Sequence, residues 1–281
     1  MNMKEQEYFD SSKNYFSNVD GQIGLAAIPD NFVDLVLTDP PYGIADNTKL
    51  TKTKGQIVST QQAWGNDFQD RWNTIEDYYQ WLKPFIAEFV RVMKDNGSLI
   101  LFLDRKYTGL IAHYLEQDFH LNFKNKIYFK KKNPVPSIRK NNYRSTIEEA
   151  VWFTKGKQYT FNFGEQADML QVYEGPIGKK KTAHPTEKYG WMIEPLIRNH
   201  TEPGDVVLDA FAGSATTLVV AKQQARNAIG FEKDDRFYDL AKARLEEEQL
   251  EFSFYTPRDE PAIVRELDRI MDIEMAKLAT V

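Results

Sequence analysis

The sequence predicts an α/β fold, with a mostly parallel central sheet and helices on both faces. Three observations predict it. Short apolar runs, such as Val33-Asp34-Leu35-Val36-Leu37 and residues 98–103, read as buried strands. Longer amphipathic stretches alternate with them. Two of the strands run into special turns, Asp39-Pro40-Pro41-Tyr42 and Asp209-Ala210-Phe211-Ala212-Gly213-Ser214. Sheets of this kind bind ligands beyond the carboxyl ends of their strands.

The first strand, 33–37, stops at Asp39-Pro40-Pro41, because proline cannot donate to a ladder. The polar stretch 45–71 is too long for a simple connection and has the character of a functional loop. Ile75, Tyr78, Tyr79, Leu82, Phe85, Ile86, Phe89, Val90 and Met93 recur at helical spacing behind Thr74, and Asn96-Gly97 ends that helix. Strand 98–103 follows, then a weaker helical pattern over 110–115. Strands at 127–129 and 150–153 flank a basic segment. The second half repeats the alternation: a helix over 187–199, the turn Glu202-Pro203-Gly204-Asp205, a strand at 206–208, and a helix running from the Gly213 turn to Ala225. A strand at 228–231 and a helix over 236–248 complete it. In the tail, Pro261 stands at a first helical position. Ile263, Leu267, Ile270, Met271 and Leu278 form a stripe that must pack on the main body or on a second subunit.

A chain of 281 residues buries one substantial core, with room for an insert. The absence of cysteine excludes disulfides, thiolate metal sites and cysteine nucleophiles, and it fits a reducing cytoplasm. No apolar run is long enough to cross a bilayer, and residues 1–10 are too polar and acidic for a signal peptide. A cytoplasmic location with no membrane partner is therefore expected. The net charge of −5 argues against a protein that coats nucleic acid. The charge is uneven, however. Lys124, Lys126, Lys130, Lys131, Lys132, Arg139, Lys140 and Arg144 form a run with no acidic residue, while the stretch 246–281 is strongly acidic. Positive charge gathered on one face suffices to bind DNA.

Two prolines stiffen the turn at Asp39, so a carboxylate and a fixed carbonyl offer two acceptors to an amino group, and Tyr42 offers a flat face to a base. The same four residues also suit a rigid turn with an Asp cap and a packed tyrosine. At the second turn, small residues admit a ligand close to the backbone, and the following helix N-terminus favours an anionic group. Glu232, just past the next strand, can accept from both hydroxyls of a ribose. Turn and carboxylate together indicate a nucleoside-containing cofactor. The turn lacks the G-x-G-x-x-G of a dinucleotide site.

With these motifs in this order, the chain resembles the β class of amino-methylating DNA methyltransferases, the N6-adenine/N4-cytosine family. In that circularly permuted group the catalytic motif precedes the cofactor motif. Asp39-Pro40-Pro41-Tyr42 lies early, Phe211-Ala212-Gly213-Ser214 lies late, and His184-Pro185-Thr186-Glu187-Lys188 lies between them. Asp20, Ile28-Pro29-Asp30 and Val33-Asp34-Leu35 are similar to the family's opening strand and helix. Gly230-Phe231-Glu232 with Ala241, Arg244 and Leu245 matches a late strand and helix. The likeness covers roughly residues 16–250.

The resemblance implies a Rossmann-like S-adenosylmethionine-dependent methyltransferase fold. It also implies methyl transfer from S-adenosyl-L-methionine to adenine N6 of a base flipped out of double-stranded DNA. The Asp at the head of the catalytic motif favours adenine over cytosine N4. Asp39 and the Pro40 carbonyl would hold the amine, with Pro41 stiffening the turn and Tyr42 stacking on the base. Asp209, Phe211 and Gly213 would form the cofactor turn, Glu232 would bind the ribose, and Asp20 would lie near the cofactor's adenine. Thr186, Lys188, Ser214, Thr216 and Thr217 would hold the methionine carboxylate. Tyr128-Phe129-Lys130 would present an aromatic to the flipped base, and Arg139, Lys140 and Arg144 would grip phosphates. No metal is implied: His113, His120, His184 and His200 are scattered and read as surface or capping residues.

The family turn usually has a second glycine where this chain has Ala215, and a positive φ there would cost roughly 1 kcal/mol. The expected organisation is a catalytic domain over 1–256, with DNA-recognition inserts near 45–71 and 124–183, and a helical extension over 257–281. A homodimer is compatible with that extension. The sequence does not tell whether a restriction enzyme accompanies the chain. Three alternatives stay open: cytosine N4 methylation, a non-catalytic nucleic-acid-binding partner of an active subunit, and methylation of RNA.

Overall fold

The computed structural model describes residues 9–42, 48–53, 56–61, 72–137, 140–178 and 187–254. Its elements run β1 (Tyr15–Ser17), α1 (Gly21–Ala27), β2 (Val33–Thr38), β3 (Thr48–Thr53), β4 (Gln56–Gln61), α2 (Ile75–Val92) and β5 (Met93–Leu103). Then come α3 (Thr108–Phe119), β6 (Asn122–Lys131), β7 (Ile147–Thr154), β8 (Val172–Gly175), α4 (Gly190–His200) and β9 (Val206–Asp209). The last are α5 (Thr216–Gln223), β10 (Asn227–Phe231), α6 (Asp235–Glu247) and β11 (Ser253–Phe254). The expected tail helix lies outside the described residues.

Nine strands form one sheet in the order β11-β1-β10-β9-β2-β5-β7-β6-β8. β7 pairs antiparallel with β5 and β6, and every other neighbouring pair is parallel. The strand alternation divides the core in two. Leu99, Leu101 and Leu103 pack with α1, α2 and α3 on one face; Ile100 and Phe102 pack with α4, α5 and α6 on the other. β2, buried at every position, serves both faces through Val36 on one side and Leu35 and Leu37 on the other.

α2 begins in a reciprocal capping box between Thr74 and Asp77. It ends at Val92, sooner than Asn96-Gly97 suggested. Met93 is already extended and pairs with Val33 in the sheet, so Asn96-Gly97 is a kink inside β5. A Cβ on Gly97 would lie 2.5 Å from Met93 Cγ and 2.9 Å from the Lys94 carbonyl, so the kink needs glycine. The polar stretch after β2 is not all loop: β3 and β4 pair as an antiparallel hairpin.

The topology fixes the site. From β2 the chain crosses through α2 to β5 on one side; from β9 it crosses through α5 to β10 on the other. β2 and β9 are parallel neighbours, so the order reverses between them. Helices that leave on opposite faces open a crevice above the two carboxyl ends. The two special turns of the sequence stand there.

Candidate active site

Both turns line one cavity of about 720 Å³. Thr38, the last residue of β2, donates through Oγ1 to Asp209 Oδ1 at 2.6 Å, which ties the two strand ends together. Asp209 is buried and also receives Phe211 N at 3.1 Å and the Thr217 hydroxyl. Burial pushes its carboxyl up to about 6 despite those donors.

On the β2 side, Asp39 Oδ1 accepts from the Tyr42 hydroxyl, which the Pro-Pro turn folds back on it. Asp39 Oδ2 lies 2.6 Å from Lys188 Nζ. That ammonium also reaches Glu148 Oε2 at 3.2 Å, and Glu148 Oε1 pairs with Lys131 at 2.7 Å. Burial drives the Asp39 carboxyl up, and Lys188 pulls against it without fully reversing the shift. Burial also acts on Glu148, but Lys188 and Lys131 hold it down at about 2. Burial would lower Lys188, yet the two carboxylates raise it, so it stays a cation.

Lys188 is therefore not where the motif resemblance put it. Its side chain lies between two carboxylates, Asp39 and Glu148, on the β2 side of the cavity, not at the Gly213 turn. The physical reason is charge: Asp39 and Glu148 converge on one point, and an ammonium there balances both. The backbone of Lys188 does meet the start of α5, where its carbonyl accepts from Thr216 Oγ1 at 3.2 Å.

On the β9 side, Gly213 takes a φ of +52° and donates its N–H to Glu232 Oε2 at 2.9 Å. Glu232 Oε1 accepts from Asp234 N, also at 2.9 Å. A carboxylate has about four acceptor sites, so Glu232 keeps capacity toward the cavity. Burial raises its carboxyl, against those two N–H donors. Asp20 caps α1 by accepting from Gln22 N at 2.9 Å and borders the cavity beside Gly21. A Cβ on Gly21 would come within 2.7 Å of the Ala210 carbonyl. The Phe211 ring lies 4.8 Å from that of Phe85 and 5.8 Å from that of Trp81. Ser214, Thr216 and Thr217 are buried at the start of α5. An aromatic wall, a ribose-competent carboxylate and a helix N-terminus fit a cofactor with a flat base, a diol and a carboxylate.

Ala215 adopts the left-handed conformation, φ 57° and ψ 26°, so the position does demand what glycine gives freely. Beside it lies Arg244, a residue the motif reading gave no role. Its Nη1 donates to the Ser214 carbonyl at 2.8 Å and Thr216 Oγ1 at 2.9 Å, and meets Glu187 Oε1 at 3.4 Å. Glu148 was also missed. Its one signal is an acidic pair, Glu148-Glu149, between the basic run and an apolar strand.

Of the residues assigned to the base and the phosphates, Phe129 is misplaced. It is fully buried, with its ring 5.3 Å from Phe102 and 5.8 Å from Tyr173. β6 alternates, and Phe129 points to the core between the half-buried Tyr128 and the exposed Lys130. Lys130 pairs with Glu174 at 2.7 Å. Lys140 and Tyr143 are exposed, and Arg144 turns back to the carbonyls of Pro134 and Val135. Arg139, Thr186 and His184 lie outside the described residues. His200 is no surface residue: it is 3% exposed and packs 4.4 Å from Trp152. His113 is exposed, and His120 caps α3 in the left-handed conformation.

The family model of N6/N4 DNA methylases matches residues 33–243, from β2 into α6. The chain belongs to the N6/N4 DNA methylase family. The chain is 30% identical over 240 residues to the type II methyltransferase M.HinfI of Haemophilus influenzae, a match that covers 79% of this chain and 66% of that one. It thus spans just under two thirds of that relative. It is 28% identical over 257 residues to the type II methyltransferase M2.DpnII of Streptococcus pneumoniae, over 86% and 92% of the two chains. Among solved structures, that of the M1.HpyAVI complex with S-adenosylmethionine superposes with a TM-score of 0.63 at 27% identity, over 82% and 98%. The cytosine-N4-specific PvuII DNA methyltransferase superposes with a TM-score of 0.67 at 19% identity, over 93% and 94%, and shares the fold.

Proposed function

We propose that this N6/N4 methylase transfers a methyl group to adenine N6 of a base flipped out of double-stranded DNA. S-adenosylmethionine, the family's cofactor, supplies a methyl group activated on a sulfonium sulfur. The observation that carries the reading is the shared cavity: Asp39-Pro40-Pro41-Tyr42 and the Gly213 turn open on it from adjacent strand ends.

The exocyclic amine is a weak nucleophile, because its lone pair is delocalised into the ring. Asp39 and the Pro40 carbonyl accept its two N–H bonds, which favours a tetrahedral nitrogen and frees the pair. The nitrogen then forms a bond to the methyl carbon as the carbon–sulfur bond breaks, and the electron pair of that bond stays on sulfur. The alkylated amine sheds its extra proton afterwards. Asp39 orients the amine and balances its growing positive charge; it need not abstract a proton first. Alignment and fixed electrostatics supply the rate. Reaching the pocket requires the base to leave the stack, at a cost of a few kcal/mol. The basic run 124–144 supports phosphate binding beside the cavity. The Asp at the head of the catalytic motif supports adenine over cytosine.

The test is incubation of duplex DNA with methyl-labelled S-adenosylmethionine, followed by nucleoside analysis. The expected product is N6-methyladenine. Label in 4-methylcytosine alone would overturn the adenine assignment. No transfer, together with no heat of S-adenosylmethionine binding by calorimetry, would instead favour a non-catalytic DNA-binding partner.

A further inference from the structure

Both oxygens of Asp39 are engaged: Oδ1 by the Tyr42 hydroxyl and Oδ2 by Lys188 Nζ at 2.6 Å. A carboxylate has about four acceptor sites, so an amino group entering at Asp39 competes with these two donors for its oxygens. Tyr42 is held to Asp39 by the rigid Pro-Pro turn. Lys188 arrives from another segment and already has a second acceptor within reach, Glu148 Oε2 at 3.2 Å. Glu148 is anchored from its far side by Lys131 Nζ at 2.7 Å, so it can take the ammonium without moving. The Lys188 ammonium also presents to Asp39 the same chemistry as the substrate, N–H donors on a nitrogen.

We propose that Lys188 is a displaceable stand-in for the target amino group: it caps Asp39 until the base enters, then passes to Glu148. This rests on the reading of Asp39 as the amine acceptor. The cap has a physical purpose. Burial pushes the Asp39 carboxyl toward its protonated form, which would present a donor where an acceptor is needed. Lys188 opposes that shift, and the hand-over leaves the cation balanced by Glu148 instead of stranded. Lys188 and Glu148 are thus positioning residues for Asp39.

Single-turnover methylation of duplex DNA tests the hand-over, with S-adenosylmethionine affinity measured beside it. Glu148→Gln removes the charged acceptor and strands the ammonium on Asp39. The rate should fall at least tenfold with cofactor affinity unchanged. Glu148→Asp keeps the charge, guards against a folding defect, and should give an intermediate rate. The decisive variant is Glu148→Gln combined with Lys188→Met. With no cap to displace, it should be faster than Glu148→Gln alone at high pH. Its pH–rate profile should also shift upward, because Asp39 has lost its cation. A double variant no faster than Glu148→Gln at any pH overturns the proposal, since a merely structural bridge predicts that result. So does a Glu148→Gln rate equal to wild type. Asp39→Ala separates the two levels: if it keeps more than a tenth of the rate, the acceptor reading itself falls. If it is inactive while Glu148→Gln is unimpaired, only the hand-over falls.

Discussion

Thr38 Oγ1 donates to Asp209 Oδ1 across 2.6 Å, and this bond joins the strand that ends at Asp39-Pro40-Pro41-Tyr42 to the strand that ends at the Gly213 turn. It is buried, and it holds a carboxyl whose burial raises it to about 6 from an ordinary 3.8. A carboxyl raised by folding binds its proton more tightly in the native state. Its contribution to stability is complete below pH 4 and is lost as the pH rises through about 6. A shift of that size is worth about 3 kcal/mol at most. Asp209→Asn keeps an oxygen for Thr38 and for Phe211 N but does not titrate. Melting temperatures should show the variant gaining on wild type between pH 4 and pH 7. Parallel curves across that range would show that Asp209 is ionised in the fold at little cost.

His200 predicts the opposite slope. Burial against Trp152 and Phe161 lowers it to about 3, and no partner for Nδ1 is found among the described residues. The native state resists protonation while the unfolded chain accepts it below pH 6.5. The stability it contributes is therefore present above pH 6.5 and drains as the pH falls toward 3, by up to about 1.4 kcal/mol per pH unit. His200→Leu should flatten the acid limb of a urea-denaturation series between pH 6.5 and pH 4. An unchanged limb would place the acid sensitivity elsewhere.

These two residues mark what could be read in the sequence. Asp209 was legible because it follows an apolar strand and opens a small-residue turn, a local pattern. The strands around it, the helix α2 and the order of the two motifs were legible for the same reason. His200 was not, because its burial depends on Trp152 and Phe161, which are brought to it only by the folded sheet. The side chain of Lys188 failed similarly. A motif gives its place in the chain, but Asp39 and Glu148 decide where its ammonium goes. The hairpin of β3 and β4 leaves no strand signal in the sequence, because its strands are polar and lack the apolar alternation that marks a half-buried strand.

Phe129 and Lys140 predict a clean separation of stability from DNA binding. Phe129 packs among Phe102, Tyr173 and Trp191. Phe129→Ala should cost about 3–5 kcal/mol of folding stability. Lys140 is exposed in the basic run. Lys140→Ala should leave the melting temperature in place, weaken DNA binding on all sequences alike, and lower the salt dependence by about one counterion. A salt slope identical to wild type would remove Lys140 from the phosphate contacts.

Ala215 predicts how tightly the Gly213 turn is constrained. It is fully buried, yet it holds φ at 57° where glycine would rest without strain. Ala215→Gly relieves roughly 1 kcal/mol of backbone strain and loses the burial of one methyl group, about 0.8 kcal/mol. The two nearly cancel, so the melting temperature should scarcely move. Ala215→Val adds a branched side chain in a conformation that branched residues strongly resist. It also sits where Arg244 grips the Ser214 carbonyl and Thr216 Oγ1. That variant should lose at least about 2 kcal/mol, an amount typical of strain plus overpacking, and bind S-adenosylmethionine more weakly than Ala215→Gly. Calorimetry on the two variants decides it: equal affinities would mean that the turn adjusts around residue 215 instead of being held by it.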